Sequence, residues 1–284
     1  MNLNIKDSFK KVFSLKFFWI YLFIFAVITT ISNIFQKAEN IPNSSFISSF
    51  ISCFSYISLG YLFIMINKVI NNDNENFEEN FWTNFVESTK QGFKALVGIF
   101  CNILILLCFD TILMIVAIGT HFFATKKLVS PTEIMNIPAF IALIAAIALF
   151  TIVSILLISH LLPVAFSEKY SIKDMFNWFK VLNIFFKKGY TKRTLAIFGI
   201  YILALIIIIG FMFSVMFIFN FVILFFAKTL LVNHYIAMAF LINLSYVLTP
   251  FLIATLNFML SGGIFRMFAN VYKESLNNIE IQNA

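Results

Sequence analysis

Long runs without a charged residue constrain this sequence more than any other feature. No Asp, Glu, Lys or Arg occurs between Lys16 and Lys37, Glu39 and Lys68, Glu133 and Glu168, Arg193 and Lys228, or Lys228 and Arg266. A sixth run, from Lys94 to about Thr120, is interrupted only by Asp110. Because a helix needs about 20 apolar residues to cross a bilayer, these runs predict six membrane-spanning helices.

The composition excludes the other broad classes of protein. Of the 284 residues, 61% are hydrophobic and only 12% are charged, whereas about 25% are charged in a typical soluble domain. A soluble, disordered or disulfide-rich secreted protein is therefore excluded. The runs are continuous and lack the alternation of barrel strands. The predicted fold class is an all-α, polytopic integral membrane helix bundle that forms one domain over residues 1–284.

The predicted segments follow from the ends of these runs. The spans cover about residues 17–35, 46–66, 95–119, 138–163, 195–226 and 236–264. Residues 1–16 form an amphipathic segment, residues 67–94 and 164–194 form loops with interfacial helices, and residues 265–284 form a tail. The first run follows four lysines, as in a signal peptide, but it has no A-x-A-like cleavage site, so we expect an uncleaved anchor.

The positions of the basic residues predict the orientation. Of the 20 Lys and Arg residues, only Lys37, Lys126, Lys127 and Lys228 fall on the side opposite the N-terminus, which leaves sixteen on the N-terminal side. Because short cytoplasmic loops are enriched in Lys and Arg, both termini are predicted to be cytoplasmic. The abundance of Phe, Ile, Asn and Lys is typical of an AT-rich genome and favours a bacterial plasma membrane.

Three of the predicted cytoplasmic segments are amphipathic: Leu3–Lys16, Phe81–Gln91 and Ile172–Lys188. The third is the clearest, because its Lys and Asn residues recur at spacings of three and four opposite an aromatic face. Such a helix lies in the headgroup plane, with Ser171 and Gly189 as its expected caps. The predicted contacts to anionic phospholipid of the inner leaflet are Lys173, Lys180, Lys187, Lys188 and Trp178.

A short repeat links two of these segments. The sequence Ile5-Lys6-Asp7-Ser8-Phe9 recurs as Ile172-Lys173-Asp174-Met175-Phe176, each time ahead of an outward span. This recurrence suggests three parallel units, each an interfacial helix followed by two spans.

Asp110 is the only charged-type residue within a predicted span. An ionised carboxylate at that depth would cost roughly 2.5 to 3.5 kcal/mol, so we expect Asp110 to face the bundle interior, protonated or hydrogen-bonded to Asn220 or Asn243. Pro250 is expected to break the sixth span, since it removes a backbone hydrogen bond. Asp110 could be a structural hydrogen-bonding group or part of a proton or ion pathway.

No catalytic or metal-binding pattern is visible in the sequence. The three His residues are widely separated, the three Cys residues lack metal-ligand spacing, and the acidic run over residues 71–80 lacks the order of an EF-hand loop. We predict no enzyme activity, no catalytic residue, no metal and no cofactor. Nucleic acid is not an expected partner, because the basic residues lie between apolar runs rather than on one soluble face.

Several motifs carry a family resemblance. They are Leu59-Gly60-Tyr61-Leu62, Asn67-Lys68-Val69-Ile70, Gly92-Phe93-Lys94-Ala95-Leu96-Val97, and the closing Thr249-Pro250-Phe251 run that ends in Val271-Tyr272-Lys273. Together they resemble domain-of-unknown-function family 4013 of bacterial and archaeal multi-pass membrane proteins. The resemblance implies a bundle of about six helices with cytoplasmic termini, and it supplies no activity and no catalytic residues.

Two functional hypotheses remain. The first is a non-catalytic membrane partner or scaffold whose basic, aromatic inner belt binds anionic lipid, and which contacts another copy or another membrane protein. The alternative is a transporter or channel component with Asp110 and the Pro250 break on its pathway. The spans contain few polar residues for a transporter, which favours the first hypothesis.

Overall fold

The computed structural model of the chain describes residues 4–38, 42–71, 80–125, 138–187, 189–229 and 234–283. Every regular element within these ranges is helical. The α-helices are α1 (Ile5–Phe13), α2 (Phe18–Lys37), α3 (Ser44–Cys53), α4 (Ser55–Ile70), α5 (Phe81–Thr125), α6 (Pro138–Leu156), α7 (Leu162–Lys169), α8 (Trp178–Phe185), α9 (Thr191–Thr229) and α10 (His234–Asn283). A π-turn over Leu157–Leu161 joins α6 to α7, and a 3-10 turn over Ile172–Phe176 precedes α8.

Six helical stretches are long and apolar enough to cross a membrane. They are Phe18–Lys37, Ser44–Ile70, Phe81–Thr120, Ile141–Lys169, Thr191–Ile218 and Asn243–Asn278. The prediction of an all-helical fold with six helices long and apolar enough to span a membrane is confirmed for the described residues.

Three helices extend well beyond the length that a bilayer requires. α5 has 45 residues, α9 has 39 and α10 has 50, and at 1.5 Å per residue each exceeds the hydrocarbon core of about 30 Å. The predicted interfacial helix over Phe81–Gln91 is continuous with the third span, and the tail that begins at residue 265 continues α10 to Asn283. No Pro separates Phe81–Gln91 from the following apolar run, so the helix continues.

The second span is not one regular helix. α3 ends at Cys53 and α4 begins at Ser55. The hydroxyl of Ser55 donates to the carbonyl oxygen of Ser52 at 2.6 Å. Hydroxyl groups that bond to the backbone of their own helix often bend it, which explains the irregularity at Phe54.

The predicted helix Ile172–Lys188 is also divided. Residues Ile172–Phe176 form the 3-10 turn, and α8 begins at Trp178 because the side chain of Asn177 caps it, accepting from the backbone N–H of Lys180 at 3.1 Å. Ser171 is extended and makes no side-chain cap, whereas Gly189 has a φ of +99°, the left-handed region that favours glycine. We call Ile172–Phe185 the docked segment. Its first residues differ from Ile5–Phe9, which are α-helical, so the repeat does not extend to local structure.

Glycines allow two pairs of helices to approach closely. A Cβ built on Gly60 of α4 would lie 1.9 Å from the backbone oxygen of Ser88 in α5. A Cβ on Gly92 of α5 would lie 2.0 Å from the backbone oxygen of Tyr56. The backbones of α4 and α5 therefore touch at a crossing that only glycine permits, the use of small residues that is typical of membrane bundles.

The second close approach joins α1 to α10. A Cβ on Gly262 would lie 2.8 Å from Cγ1 of Val12, and one on Gly263 would lie 2.2 Å from the ring of Phe9. Asn4 caps α1 by accepting from the N–H of Asp7 at 3.3 Å. The amphipathic N-terminal helix thus packs its apolar face on the protein.

Two regions differ in how completely they are packed. The packed half consists of α1, α2, α4, α7, the docked segment and the parts of α5, α9 and α10 beside them. It holds the largest fully buried side chains, which are Tyr21, Tyr61, Tyr272, Phe18, Phe63, Phe166, Phe185, Phe258 and Phe268. The apolar arms are residues 103–122 of α5, 141–156 of α6 and 202–218 of α9, where Leu106, Ser154 and Met212 are the buried residues.

Candidate functional site

One buried asparagine fixes the docked segment to α5. The Nδ2 of Asn102 donates to the backbone oxygens of Gly98 at 2.8 Å and Met175 at 3.1 Å. Its Oδ1 accepts from the indole Nε1 of Trp178 at 2.7 Å. Asn102 is fully buried, and these bonds use both amide donors and one acceptor site of its side chain. The amide therefore links the docked segment to a membrane helix.

Apolar packing reinforces this contact. Met175 lies against Gly98, where an added Cβ would be 2.2 Å from the methionine sulfur. Val181 and Phe185 of α8 are buried in the core. The hydroxyl of Ser275 in α10 donates to the backbone oxygen of Ile184 at 3.0 Å. Part of the aromatic face that the sequence assigns to lipid therefore packs on protein.

A cluster of charges joins the docked segment to α7 and α10. Glu168 accepts a hydrogen bond from the hydroxyl of Tyr272 at 2.6 Å and pairs with the Nζ of Lys180 at 3.5 Å. Lys180 also lies 3.7 Å from Asp174, and Lys169 lies 3.5 Å from Glu168. The cluster is partly exposed, so each pair contributes little by itself, but together the contacts fix the position of α8.

The opposite face of the docked segment is free of these contacts and points outward. Phe179 is 84% exposed and Phe176 is 41% exposed. Lys173 of the same segment is also exposed. A lysine next to unburied aromatic rings is the pattern of an interfacial membrane contact.

The predicted lipid contacts thus have different surroundings. The indole N–H of Trp178 is bonded to Asn102, and Lys180 is paired with two carboxylates. Lys173 is exposed and Lys187 is half-buried. Lys188 lies outside the described residues. The most exposed aromatic side chain of the docked segment is that of Phe179 rather than the predicted Trp178. The break at Asn177 changes which residues of α8 face outward.

Asp110 contacts a residue that sequence reasoning missed. The hydroxyl of Thr151 in α6 donates to Oδ2 of Asp110 at 2.8 Å, and the rings of Phe109 and Phe150 are tilted by 49° with their centroids 5.5 Å apart. Oδ1 of Asp110 is buried and has no hydrogen-bond partner among the described residues. A polar pair between two apolar helices is a known means of holding them together.

The other predicted intramembrane residues lie elsewhere. Asn243 is exposed and lines a cavity of about 340 Å³ with Lys37 and Tyr246, so it does not replace Thr151 as the partner of Asp110. The side chain of Asn220 lies outside the described residues. α10 remains helical through Pro250, the site of the predicted break. One backbone donor is lost there.

A buried histidine is a further polar feature of the packed half. His160 is 6% exposed, lies in the π-turn, and its Nδ1 is 2.6 Å from the hydroxyl of Ser159. Its ring is 4.4 Å from that of Tyr201 and 5.9 Å from that of Phe265. Pro163, two residues after the turn, lacks the N–H that a regular helix would use, and π-turns accommodate such local mismatches.

Within the described ranges, no three His, Cys, Asp or Glu side chains come together as metal ligands. Cys53, Cys101 and Cys108 are free thiols. The acidic loop considered as a Ca²⁺ site falls on residues 72–79, outside the described ranges.

A family model described as "Protein of unknown function (DUF4013)" matches residues 43–220. The matched region runs from just before α3 into α9, so it includes the Gly60–Gly92 crossing and the docked segment. The closing motif around Pro250 lies beyond it. Comparison with curated proteins and with solved structures gave no match.

Proposed function

Because this family model covers well over half of its length, the chain belongs to the DUF4013 family, and we propose that it is a non-catalytic membrane scaffold whose packed half binds anionic lipid. The proposal names an interaction surface rather than a reaction. It rests on the docked segment, which is held to the protein on one side and presents lysine and phenylalanine on the other.

The observation that carries the proposal is the outward face formed by Lys173, Phe176 and Phe179. Phe179 is 84% exposed although the segment around it is fixed by Asn102. An exposed ring on a rigid segment loses little conformational entropy when it enters the acyl boundary of a bilayer. A nearby lysine adds about 1 kcal/mol of attraction to an anionic surface.

The location and partners form part of the same proposal. We place the packed half on the cytoplasmic side of a bacterial plasma membrane, with both termini inside, because sixteen of the 20 Lys and Arg residues fall on that side. The exposed apolar arms would face lipid, a second copy of the chain or another membrane protein.

Fluorescence quenching in nanodiscs tests lipid binding directly. In a W19F/W82F variant, Trp178 is the remaining tryptophan of the three. We expect brominated phosphatidylglycerol to quench Trp178 more than brominated phosphatidylcholine does at the same mole fraction. Lys173→Gln with Lys187→Gln should lower this preference by up to about 30-fold at low salt, since each lysine contributes roughly 1 kcal/mol of attraction.

Lys37 supplies the matched control. It is the last residue of α2, and its Nζ lies 4.6 Å from the ring centroid of Tyr246. Lys37→Gln should therefore leave the quenching ratio unchanged. Equal quenching by the two lipids in the W19F/W82F protein would refute the proposal.

A transporter or channel component is the second candidate, supported by the intramembrane carboxyl group of Asp110. Its Oδ1 is buried without a partner among the described residues, and Thr151 binds the other oxygen. If Asp110 lies on a proton pathway, proteoliposomes should acidify under a membrane potential, and Asp110→Asn should abolish that flux. Absence of flux above protein-free liposomes would remove this candidate.

A further inference from the structure

A polar cavity lies where α1, α9 and α10 meet. Its volume is about 240 Å³, and its charged lining side chains are Asp7, Lys11, Arg193, Arg266 and Glu274. Arg266 is only 3% exposed. Burying a guanidinium group is costly unless anions or acceptors surround it, so Arg266 requires such partners at this position.

The cavity has more cations than acids. Lys11, Arg193 and Arg266 face Asp7 and Glu274, an excess of one positive charge. Glu274 is engaged by Arg193, whose Nη1 lies 2.5 Å from its Oε2. Asp7 is exposed and accepts from the side-chain amide of Asn4. Both acids therefore already have partners within the chain.

Arg193 is not fully paired within the chain. Its Nη1 pairs with Glu274, and its Nε is buried without a hydrogen-bond partner among the described residues. An anion in the cavity reaches the guanidinium through the terminal nitrogens, because the Nε itself is not accessible. Because Arg193 lies in the first turn of α9, the partial positive charge of the helix N-terminus adds to the attraction.

The sequence places the cavity at the edge of the apolar layer. Arg193 is the last charged residue before the run to Lys228, and Arg266 is the first after the next run. Lys11 lies five residues before Lys16, which borders the run to Lys37. Three separate helices therefore bring a cation to the boundary between charged and apolar sequence, the level at which lipid phosphates lie.

We propose that this cavity binds the phosphate group of an anionic ligand, with Arg193 and Arg266 as the main donors and Lys11 at the rim. Arginine suits this task because its planar fork of donors matches phosphate oxygens. The phosphate belongs either to a lipid headgroup or to a soluble phosphate ester. The site extends the proposed anionic lipid binding from a surface preference to a defined cavity, and in its lipid form it rests on that proposal.

Native mass spectrometry of the full chain in detergent tests the site. The probes are short-chain phosphatidylglycerol, glycerol phosphate and inorganic phosphate. We expect saturable binding of one molecule per chain, weakened about tenfold by Arg193→Gln and by Arg266→Gln, the loss expected for one charge-assisted hydrogen bond. Binding of phosphatidylglycerol alone identifies a lipid site, and equal binding of glycerol phosphate identifies a soluble ligand.

Two further variants keep the test decisive even if Arg266→Gln fails to fold. Lys192→Gln removes an exposed cation next to Arg193 that does not line the cavity, so it should bind like the unmodified chain. Glu274→Gln removes the competing carboxylate and should tighten binding several-fold. The inference is overturned if no probe binds at one per chain, or if Arg193→Gln and Lys192→Gln behave alike.

Failure of this site can be told apart from failure of the proposed function. Lys173→Gln with Lys187→Gln should leave cavity binding unchanged, because neither residue lines the cavity. If cavity binding is absent while phosphatidylglycerol still quenches Trp178 preferentially, the cavity inference fails alone. The reverse result would remove the surface proposal and retain the cavity.

Discussion

The spans that contain α4 and α6 are both apolar enough to cross a membrane, yet very different fractions of them are buried by the rest of the chain. Half of the most apolar stretch of the span ending in α4 is buried, against 11% of the stretch that begins in α6. α4 contains Ser58, Gly60, Tyr61 and Asn67, whereas α6 is almost entirely Ala, Ile, Leu, Phe and Val. The less apolar helix is the better packed one.

This difference follows from the solvent. Lipid tails are as apolar as leucine, so burying one apolar helix against another gains little. Small residues that permit close van der Waals contact and polar groups that need partners drive association instead. The packed half uses both, in the Gly60–Gly92 crossing and in the bonds of Asn102, while the described side chains of the arms show one polar link between helices, from Thr151 to Asp110.

The largest expected effect is at the glycine crossing. Gly60→Ala would put a Cβ 1.9 Å from a backbone oxygen, which forces α4 away from α5 and should cost roughly 3 kcal/mol or more of stability. The measurement is the thermal unfolding midpoint in detergent. Gly210→Ala in the arms is the matched control, because no atom lies within 4 Å of that Cβ position, and it should leave stability unchanged or raise it by up to about 1 kcal/mol. Similar losses in both variants would erase the distinction between the two regions.

A smaller effect is expected at the contact that holds the docked segment. Asn102→Leu leaves the Trp178 N–H and the Met175 carbonyl unpaired in a buried site, at a cost of roughly 1–3 kcal/mol. Trypsin should then cleave faster after Lys173 and Lys180, as measured by limited proteolysis. Thr111→Val, which removes an exposed hydroxyl from the same helix, should not change the rate. Unchanged cleavage in Asn102→Leu would show that apolar packing alone holds the segment.

The smallest effect is expected within the arms. Asp110→Leu and Thr151→Val each remove one side of the single polar link, and their coupling in a double-mutant cycle should be near 0.6 kcal/mol and at most about 1.7 kcal/mol. Asp110→Asn keeps an acceptor oxygen for Thr151 and should retain stability. No measurable coupling would mean that the arms are independent of one another.

The sequence predicts the helices better than it predicts the contacts between them. The six spans follow from charge-free runs, and Gly60 could be flagged as a packing residue from its place in an apolar run. The sequence predicts helix on both sides of Gly92, and the junction there carries no strong stop signal. It does not predict that the amphipathic segment and the apolar run form one helix. A glycine within a helix lowers its stability but does not end it.

The partners of individual polar residues were harder to predict. Asp110 was expected to meet Asn220 or Asn243, but Thr151 binds it, because periodicity gives depth in the membrane without giving which helices are neighbours. The bond from Trp178 to Asn102 depends on the break at Asn177, which redirects the faces of the following helix. A buried Asn in an apolar run was the one available signal for that site.

Carbene labelling from the lipid phase tests the central distinction most directly. In nanodiscs that contain a diazirine lipid, mass spectrometry should find label on Phe213 and Phe217 of the arms, which are 70% and 74% exposed. Tyr61, Phe166 and Phe268 of the packed half are fully buried and should remain unlabelled. Strong labelling of these three, or protection of Phe213 and Phe217, would contradict an account in which protein contacts hold one half of the molecule and lipid surrounds the other.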